Sequence, residues 1–374
     1  MSNRSNFYGL LCFSIGDMSS AGDYARPELH LNLWEKDESV HLDIGLKLDL
    51  NDPSKKLELF FPWSFVGPIE GKSRNVEDLA NRITGSDAIP AVFNESWSVT
   101  TTSKNSGFVI SNPSTKASLF TIIDATNAIS EKVHNEKAHI ISINIEELKQ
   151  KSKALDEHAP KFYIRFRVKN VPKNFYCVGI DQKDRWWLSS WQRTEIIDFR
   201  LNVRRGVPTD LENSTGSFVE FSKVHLFLMK SRDQDIVFED TLFKSCRSLE
   251  DEEFWAEYSS NGTESDKKES LSNVKQSIGY QWSKKGDHED NPYVKEFGIL
   301  ARFKKVEFGI GKFLIWALVL GALGNVLWDV VKLGYDKFIP ASASIPTCQT
   351  ECQLIIDRQR AEPTANSPQK GAKK

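Results

Sequence analysis

Val40-His41-Leu42-Asp43-Ile44-Gly45-Leu46-Lys47-Leu48-Asp49-Leu50 sets six apolar residues in strict alternation with five polar or small ones. Successive side chains of an extended chain point to opposite faces, so the stretch reads as a β-strand with one face in a core and the other in water. Asn51-Asp52-Pro53-Ser54 then makes a turn and Leu57 to Phe61 returns, which gives a hairpin.

The same signals recur along the chain. Further strands are expected at 97–103, 106–111, 117–123, 138–145, 161–169, 174–180, 185–203, 217–230 and 235–239, separated by Asn, Ser, Gly and Pro clusters. Val224 to Met229 is apolar on nearly both faces, as in a strand between two packed layers. The fold class that follows is mainly β: sandwich-like, of antiparallel strands with few helices. One helix is expected at 75–84, with Asn75 as N-cap, Val76, Leu79, Ala80 and Ile83 on one face and Gly85 just past its end. The lysine-rich segment Glu146 to Pro160 reads as a helix or a linker. It divides a β-rich unit at 1–148 from a second unit, or second half of one domain, at 161–258.

Composition narrows the classes. Of 374 residues 40% are hydrophobic and 11% aromatic, ample for a packed core, and the net charge of −2 gives no bulk argument for a nucleic-acid or acidic partner. No nucleic acid is expected. Cys12 and Cys177 lie in apolar runs and read as small buried hydrophobes, and an odd count of five scattered cysteines suits a reducing compartment. Cys348 and Cys352 read equally well as a disulfide or as idle thiols.

Phe313 to Trp328, FLIWALVLGALGNVLW, is sixteen residues long with no charge and one polar side chain, Asn325. As a helix it rises about 24 Å, and Ile310, Gly311, Val330, Val331 and Leu333 extend it toward the thickness of a bilayer. A transmembrane helix at 313–331 is expected, with Lys312 snorkelling and Trp316, Trp328 and Tyr335 near the interfaces. Arg302, Lys304, Lys305 and Lys312 precede it, only Lys332 and Lys337 follow it closely, and the start carries no signal peptide. The N-terminal domain is therefore placed in the cytoplasm and the tail on the far side. Ser259 to Asn291 reads as a polar linker (259–292). Tyr293, Phe297, Leu300, Phe303, Val306, Ile310 and Phe313 recur at spacings of three and four, which predicts an amphipathic juxtamembrane helix at 293–312. The tail at 340–374 reads as disordered. Ala317, Gly321 and Asn325 recur every four residues with Gly324 beside them, a stripe that lets two helices approach closely. The expected partners are thus membrane lipid, a second copy of the chain, and a cytoplasmic ligand or protein.

Gly67-Pro68-Ile69-Glu70-Gly71-Lys72-Ser73 resembles a phosphate-binding loop, and Leu119 to Asp124 supplies an apolar run ending in an acid. Gly71, Lys72, Ser73 and Asp124 are the handles of an enzymatic alternative, membrane-tethered nucleotide hydrolysis. Against it, the gap between glycines is one residue short, Pro68 removes an amide donor, and Glu70 places negative charge where phosphate would lie. Pro208-Thr209-Asp210 with Glu220 and Lys223 resembles the PD-(D/E)xK nuclease arrangement, but ExxK spacing on a strand puts the last pair on opposite faces. His134 and His139 lack an HExxH context, so no metal site and no cofactor is indicated.

The most informative polar feature is a pair of strands with basic faces. Phe162, Ile164, Phe166 and Val168 oppose Tyr163, Arg165, Arg167 and Lys169; Ile197, Phe199, Leu201 and Val203 oppose Arg200, Asn202 and Arg204. As neighbours in one sheet these cations would share a water-facing surface for a phosphate-bearing ligand or the anionic inner leaflet, with Trp187 and Trp191 placed to stack a base or guanidinium. The plainer reading is a solvated face with its cations paired to acids. The function expected is a membrane-anchored binding or sensor protein that signals through its helix, an architecture a bacterial defence effector would have by analogy; a passive scaffold is the third class.

Overall fold

The alternating stretch is a strand, β3 (Ser39–Asp49), in the middle of the largest of three sheets. The computed structural model describes residues 9–16, 25–36, 39–63, 75–83, 88–93, 98–101, 107–134, 138–180, 192–203, 217–260, 264–286, 292–306 and 310–338. In the large sheet β17 (Phe243–Ser248), β18 (Ser277–Lys285), β15 (Lys223–Ser231), β2 (Glu28–Lys36), β3, β11 (Lys161–Pro172), β8 (Ser118–Ile123), β7 (Gly107–Ser111) and β6 (Ser98–Thr101) lie side by side in that order, and β5 (Val76–Asp78) also pairs with β11. A second sheet runs β14 (Ser217–Phe218), β1 (Leu11–Gly16), β4 (Ser54–Phe61), β10 (Ala138–Asn144), β9 (Ile129–His134). The third runs β12 (Cys177–Ile180), β13 (Gln192–Leu201), β19 (Phe297–Val306), β16 (Gln234–Phe238). The protein is mostly β, as the alternation predicts. Pairing is antiparallel except for β2 with β15 and β8 with β11.

Strand periodicity builds the core. Val40, Leu42, Ile44, Leu46 and Leu48 are fully buried on one face of β3, beside Leu29, Leu31 and Leu33 of β2 and Phe162, Ile164, Phe166 and Val168 of β11. Against them pack Cys12, Leu57, Leu59, Ile141 and Ile143 from the second sheet and Ile197, Phe199, Ala301 and Phe303 from the third, in one continuous cluster. Burying these side chains is worth about 1.5–3 kcal/mol each before conformational entropy is charged against it. The helices among the described residues are α1 (Ala88–Phe93), α2 (Ile145–Leu155), α3 (Glu252–Ser259), α4 (Glu264–Lys275) and α5 (Ile310–Phe338).

Several expectations change. The helix expected at 75–84 is β5 followed by a 3-10 turn at Ala80–Arg82, because the edge of β11 offers Val76 to Asp78 a pairing partner. The polar stretch at 259–292 holds α4 and β18 rather than a linker. The juxtamembrane helix is instead strand β19: Phe297, Ile299, Ala301 and Phe303 alternate inward, and Leu300, which completes the helical spacing, is exposed. Of the two readings of 161–258, a second unit or the second half of one domain, sheet pairing does not follow the first: the large sheet takes β2 and β3 from before the 148–161 boundary and β11 and β15 from after it. Residues 1–307 form one unit and 308–374 a second. In the latter α5 is continuous from Ile310 to Phe338, and Leu314–Gly334 is long and apolar enough to cross a membrane. The tail at 340–374 lies outside the described residues.

Candidate functional site

The second face of β3 is polar but not wet. Strand register aligns Arg167 of β11, Asp43 of β3 and Asn32 of β2 in one row, and Arg165, Gly45, His30 and His225 in the next. Over these rows lie Val92 and Phe93 of α1, Leu79 and Ala80 at the 3-10 turn, and Trp255 and Tyr258 of α3, in an apolar cluster of their own. Arg165 and Arg167 were expected to face water; both are 0% exposed. The alternation identifies two unlike faces correctly, and the polar one is covered by chain from distant parts of the sequence.

A buried guanidinium needs its donors satisfied and its charge balanced. Arg167 grips Asp43 with two parallel bonds, Nε to Oδ1 at 2.6 Å and Nη2 to Oδ2 at 3.0 Å. Trp34 Nε1 and the Tyr258 hydroxyl each donate to Asp43 Oδ2 at 2.8 Å. Arg165 donates from Nε to the Tyr258 hydroxyl at 2.6 Å and from Nη1 to the Tyr163 hydroxyl at 3.0 Å, and Asn32, with its amide oxygen turned inward, accepts from Nη2 at 2.9 Å. Gly45 makes the room: a β-carbon there would lie 2.0 Å from the Tyr163 hydroxyl.

Two guanidiniums face one carboxylate. The excess positive charge is met by the C-terminal end of α3, where Arg167 Nη1 donates to the Tyr258 carbonyl at 3.3 Å and Arg82 donates to the same oxygen at 3.0 Å. Helix C-termini carry partial negative charge on unpaired carbonyls, so this is a favourable place for cations. Burial pushes the Asp43 carboxyl up, but Arg167, with Arg165 and the Tyr258 hydroxyl, together outweigh it and hold the group below its usual range. Burial, then the neighbouring His225, drive His30 well below the ordinary imidazole value, and burial takes His225 down to about 4. Both histidines are therefore neutral at pH 7.

A second buried network joins the large sheet to the third one. Lys230 of β15 reaches Glu35 of β2 at 2.5 Å and Glu195 of β13 at 2.7 Å; Lys173 reaches the same two acids at 3.2 and 3.4 Å, and the Tyr176 hydroxyl donates to Glu35 at 2.8 Å. Burial alone would raise Glu195, yet Lys230 and Lys173 bring it down to about 2.

Between the two networks lies a cavity of about 270 Å³. Its sheet-side wall carries Trp34, Glu35, His41, Arg167, Met229 and Lys230, and its helical wall carries Asp266, Glu269, Ser270 and Asn273 of α4. Cations, carboxylates, hydroxyls and amides all line it, over a floor held rigid by the ion pairs. A pocket of this kind suits a small polar ligand bearing both signs of charge.

The expected basic surface does not assemble, because β11 and β13 belong to different sheets. Lys169 pairs with Glu77 at 2.8 Å and Arg200 with Asp198 at 2.5 Å, each on its own sheet. Asp124 follows β8 as anticipated and accepts the Thr126 amide at 2.8 Å. Gly71, Lys72, Ser73, Trp187, Trp191 and Arg204 lie outside the described residues. Ala317, Gly321, Gly324 and Asn325 lie within α5, with open space around both glycines. Among the described residues no group of three His, Cys, Asp or Glu is arranged to hold a metal. Sequence reasoning missed Asp43, Tyr258, Glu35, Lys230 and Glu195. Lys230 does carry a signal, a charge closing the apolar run Val224 to Met229, whereas Asp43 sits on the face that the alternation reads as wet.

No family model matches the chain, and no curated protein matches it in sequence. Among solved structures it was compared with the Fcho1 Mu homology domain of Danio rerio with bound Eps15 peptide: 8% identity, 77% of this chain and 82% of that one covered, TM-score 0.12. That similarity carries no argument about fold or function.

Proposed function

We propose that the chain is a single-pass, membrane-anchored binding protein whose β domain takes a small polar ligand into the cavity between the two buried ion-pair networks. The observation that carries this reading is the wall itself: Arg167 and Lys230, fully buried cations, border a space large enough for a ligand while their own partners fix them in place. Preorganised charge at a cavity margin lets a ligand bind without paying to order its partners. The basic flank before α5 supports a cytoplasmic placement of this domain, and the small-residue stripe of α5 supports self-association as the way binding is passed to the membrane.

Thermal unfolding of the full chain in detergent, against a panel of amino acids, short peptides, nucleotides and sugar phosphates, tests the reading. At least one zwitterionic or anionic member should raise Tm by several degrees, as for any ligand well above its Kd. Ser270→Trp, which fills the cavity from its α4 wall, should remove that shift. A panel without effect, or a shift that survives in Ser270→Trp, would show that the cavity is not a binding site.

A further inference from the structure

In β19, Phe297, Ile299, Ala301 and Phe303 point into the core and Gly298, Leu300, Arg302 and Lys304 point out. Register sets Arg302 opposite Ile196 of β13 and Phe238 of β16, and sets Val178 of β12 opposite Ile196 in turn. Among the described residues ahead of α5, six large apolar side chains are exposed; five of them, Val178, Ile180, Val237, Phe238 and Leu300, belong to this four-stranded sheet. Single exposed hydrophobes are ordinary, but four that register places on one sheet face, Val178, Ile180, Phe238 and Leu300, with Val237 at the β16 bulge next to them, mark a surface that something covers.

The chain itself says what. β19 ends at Val306 and α5 begins at Ile310, so three residues separate them. Four residue steps reach at most about 14 Å even when fully extended. If α5 is the anchor, with its apolar span starting at Leu314, the end of β19 stays within about 20 Å of the hydrocarbon edge. Apolar side chains with Arg302 and Lys304 among them are the composition of interfacial segments, in which carbon inserts below the headgroups and cations meet anionic lipid. Asp235, across from Lys304, and Asp198, across from Leu300 and paired with Arg200, offset part of the charge and leave apolar insertion as the larger contribution. A tether makes the contact intramolecular, so weak affinity suffices. We infer that the outer face of this sheet, centred on Phe238 and Leu300, docks on the lipid surface. This rests on reading α5 as a membrane anchor.

The test places photoreactive benzoylphenylalanine at one position at a time in the full-length chain, reconstituted in vesicles of phosphatidylcholine and phosphatidylserine. Position 318 reports on the anchor, 238 and 300 on the sheet, and 133, exposed on the second sheet, is the reference. Lipid adducts are expected from 318, 238 and 300 and not from 133. Reversing Arg302 and Lys304 to Glu should lower the adduct at 238 about fivefold or more without changing that at 318. An adduct at 318 with none at 238 or 300 overturns the docking and leaves the anchor intact. No adduct at 318 overturns both. Cross-links from 238 to a second copy, or equal labelling at 133, overturn the assignment of the face to lipid, and yields unchanged by charge reversal overturn the role of the two cations.

Discussion

At Gly45 an added methyl group would fall 2.0 Å from the Tyr163 hydroxyl oxygen and 2.8 Å from the ring carbon that bears it. Tyr163 cannot retreat, because its hydroxyl receives Arg165 Nη1 and its ring packs against Phe93 at 4.8 Å between centroids. Gly45→Ala should therefore destabilise the domain by about 1–3 kcal/mol, the usual cost of overpacking a filled interior. In a Tyr163→Phe background the cost should be smaller, since the closest contact is gone. Urea unfolding of the four proteins of that cycle decides it; additive costs would mean that Gly45 answers to something other than the tyrosine. Why the site was only half legible is clear from the same residues. Period two says which side chains share a face within a strand: it puts Tyr163, Arg165, Arg167 and Lys169 on one face of β11, and His41, Asp43 and Lys47 on one face of β3, but it does not bring the two strands together. It does not say what covers that face, and Tyr258 lies 215 positions from the Asp43 it bonds. Local pattern carries no information over such a separation.

Among the elements, the segment from β5 to the 3-10 turn shows how a short run gives up its helical preference. Asp78 sits at the junction, and its carboxylate accepts the amides of Ala80 and of Ala125, both at 2.8 Å, so one side chain fixes the turn and ties it to the end of β8. Burial lifts this carboxyl to about 7, against the opposing pull of those two amides. The native state then holds a proton more tightly than the unfolded chain, whose carboxyl titrates near the ordinary aspartate value of about 3.9. The contribution of Asp78 is full below about pH 4, falls as pH rises, and is spent above about pH 7. Unfolding free energies of wild type minus Asp78→Asn should decline across that window by at most about 1.4 kcal/mol per pH unit, the limit for one proton. A difference independent of pH would show that Asp78 titrates normally. Strand β19 carries a related lesson. Phe297, Leu300 and Phe303 fit a helix, but the buried members are Phe297, Ile299, Ala301 and Phe303, and small Ala301 gave the alternation too little weight to be seen.

For the whole molecule, the strands of residues 1–307 form a sandwich-like fold in which strands far apart in sequence share sheets, β1 with β14 and β2 with β15 and β18, and α5 belongs to a separate unit. Leu314–Gly334, 21 residues, spans about 32 Å as a helix, which matches a hydrocarbon layer of roughly 30 Å. In lipid, apolar surface gives no drive for helix association, so close approach at small residues and an Asn–Asn bond, worth about 1–2 kcal/mol in model peptides, would have to supply it. Gly321→Leu with Asn325→Val should reduce cross-linked oligomer while leaving insertion intact, because both changes make the segment more apolar. Undiminished cross-linking in that double variant would move any self-contact to the β domain. The buried arginines of β11 have one more consequence, for proteolysis. Trypsin cuts after arginine only where it can draw an extended segment of chain into its own cleft, and β11 is an interior strand, paired along one side with β3 and along the other with β8 and then β5. The bonds after Arg165 and Arg167 become substrates only when the large sheet comes apart, so peptides ending at these two residues count unfolded molecules, whereas cuts at exposed lysines count frayed loops.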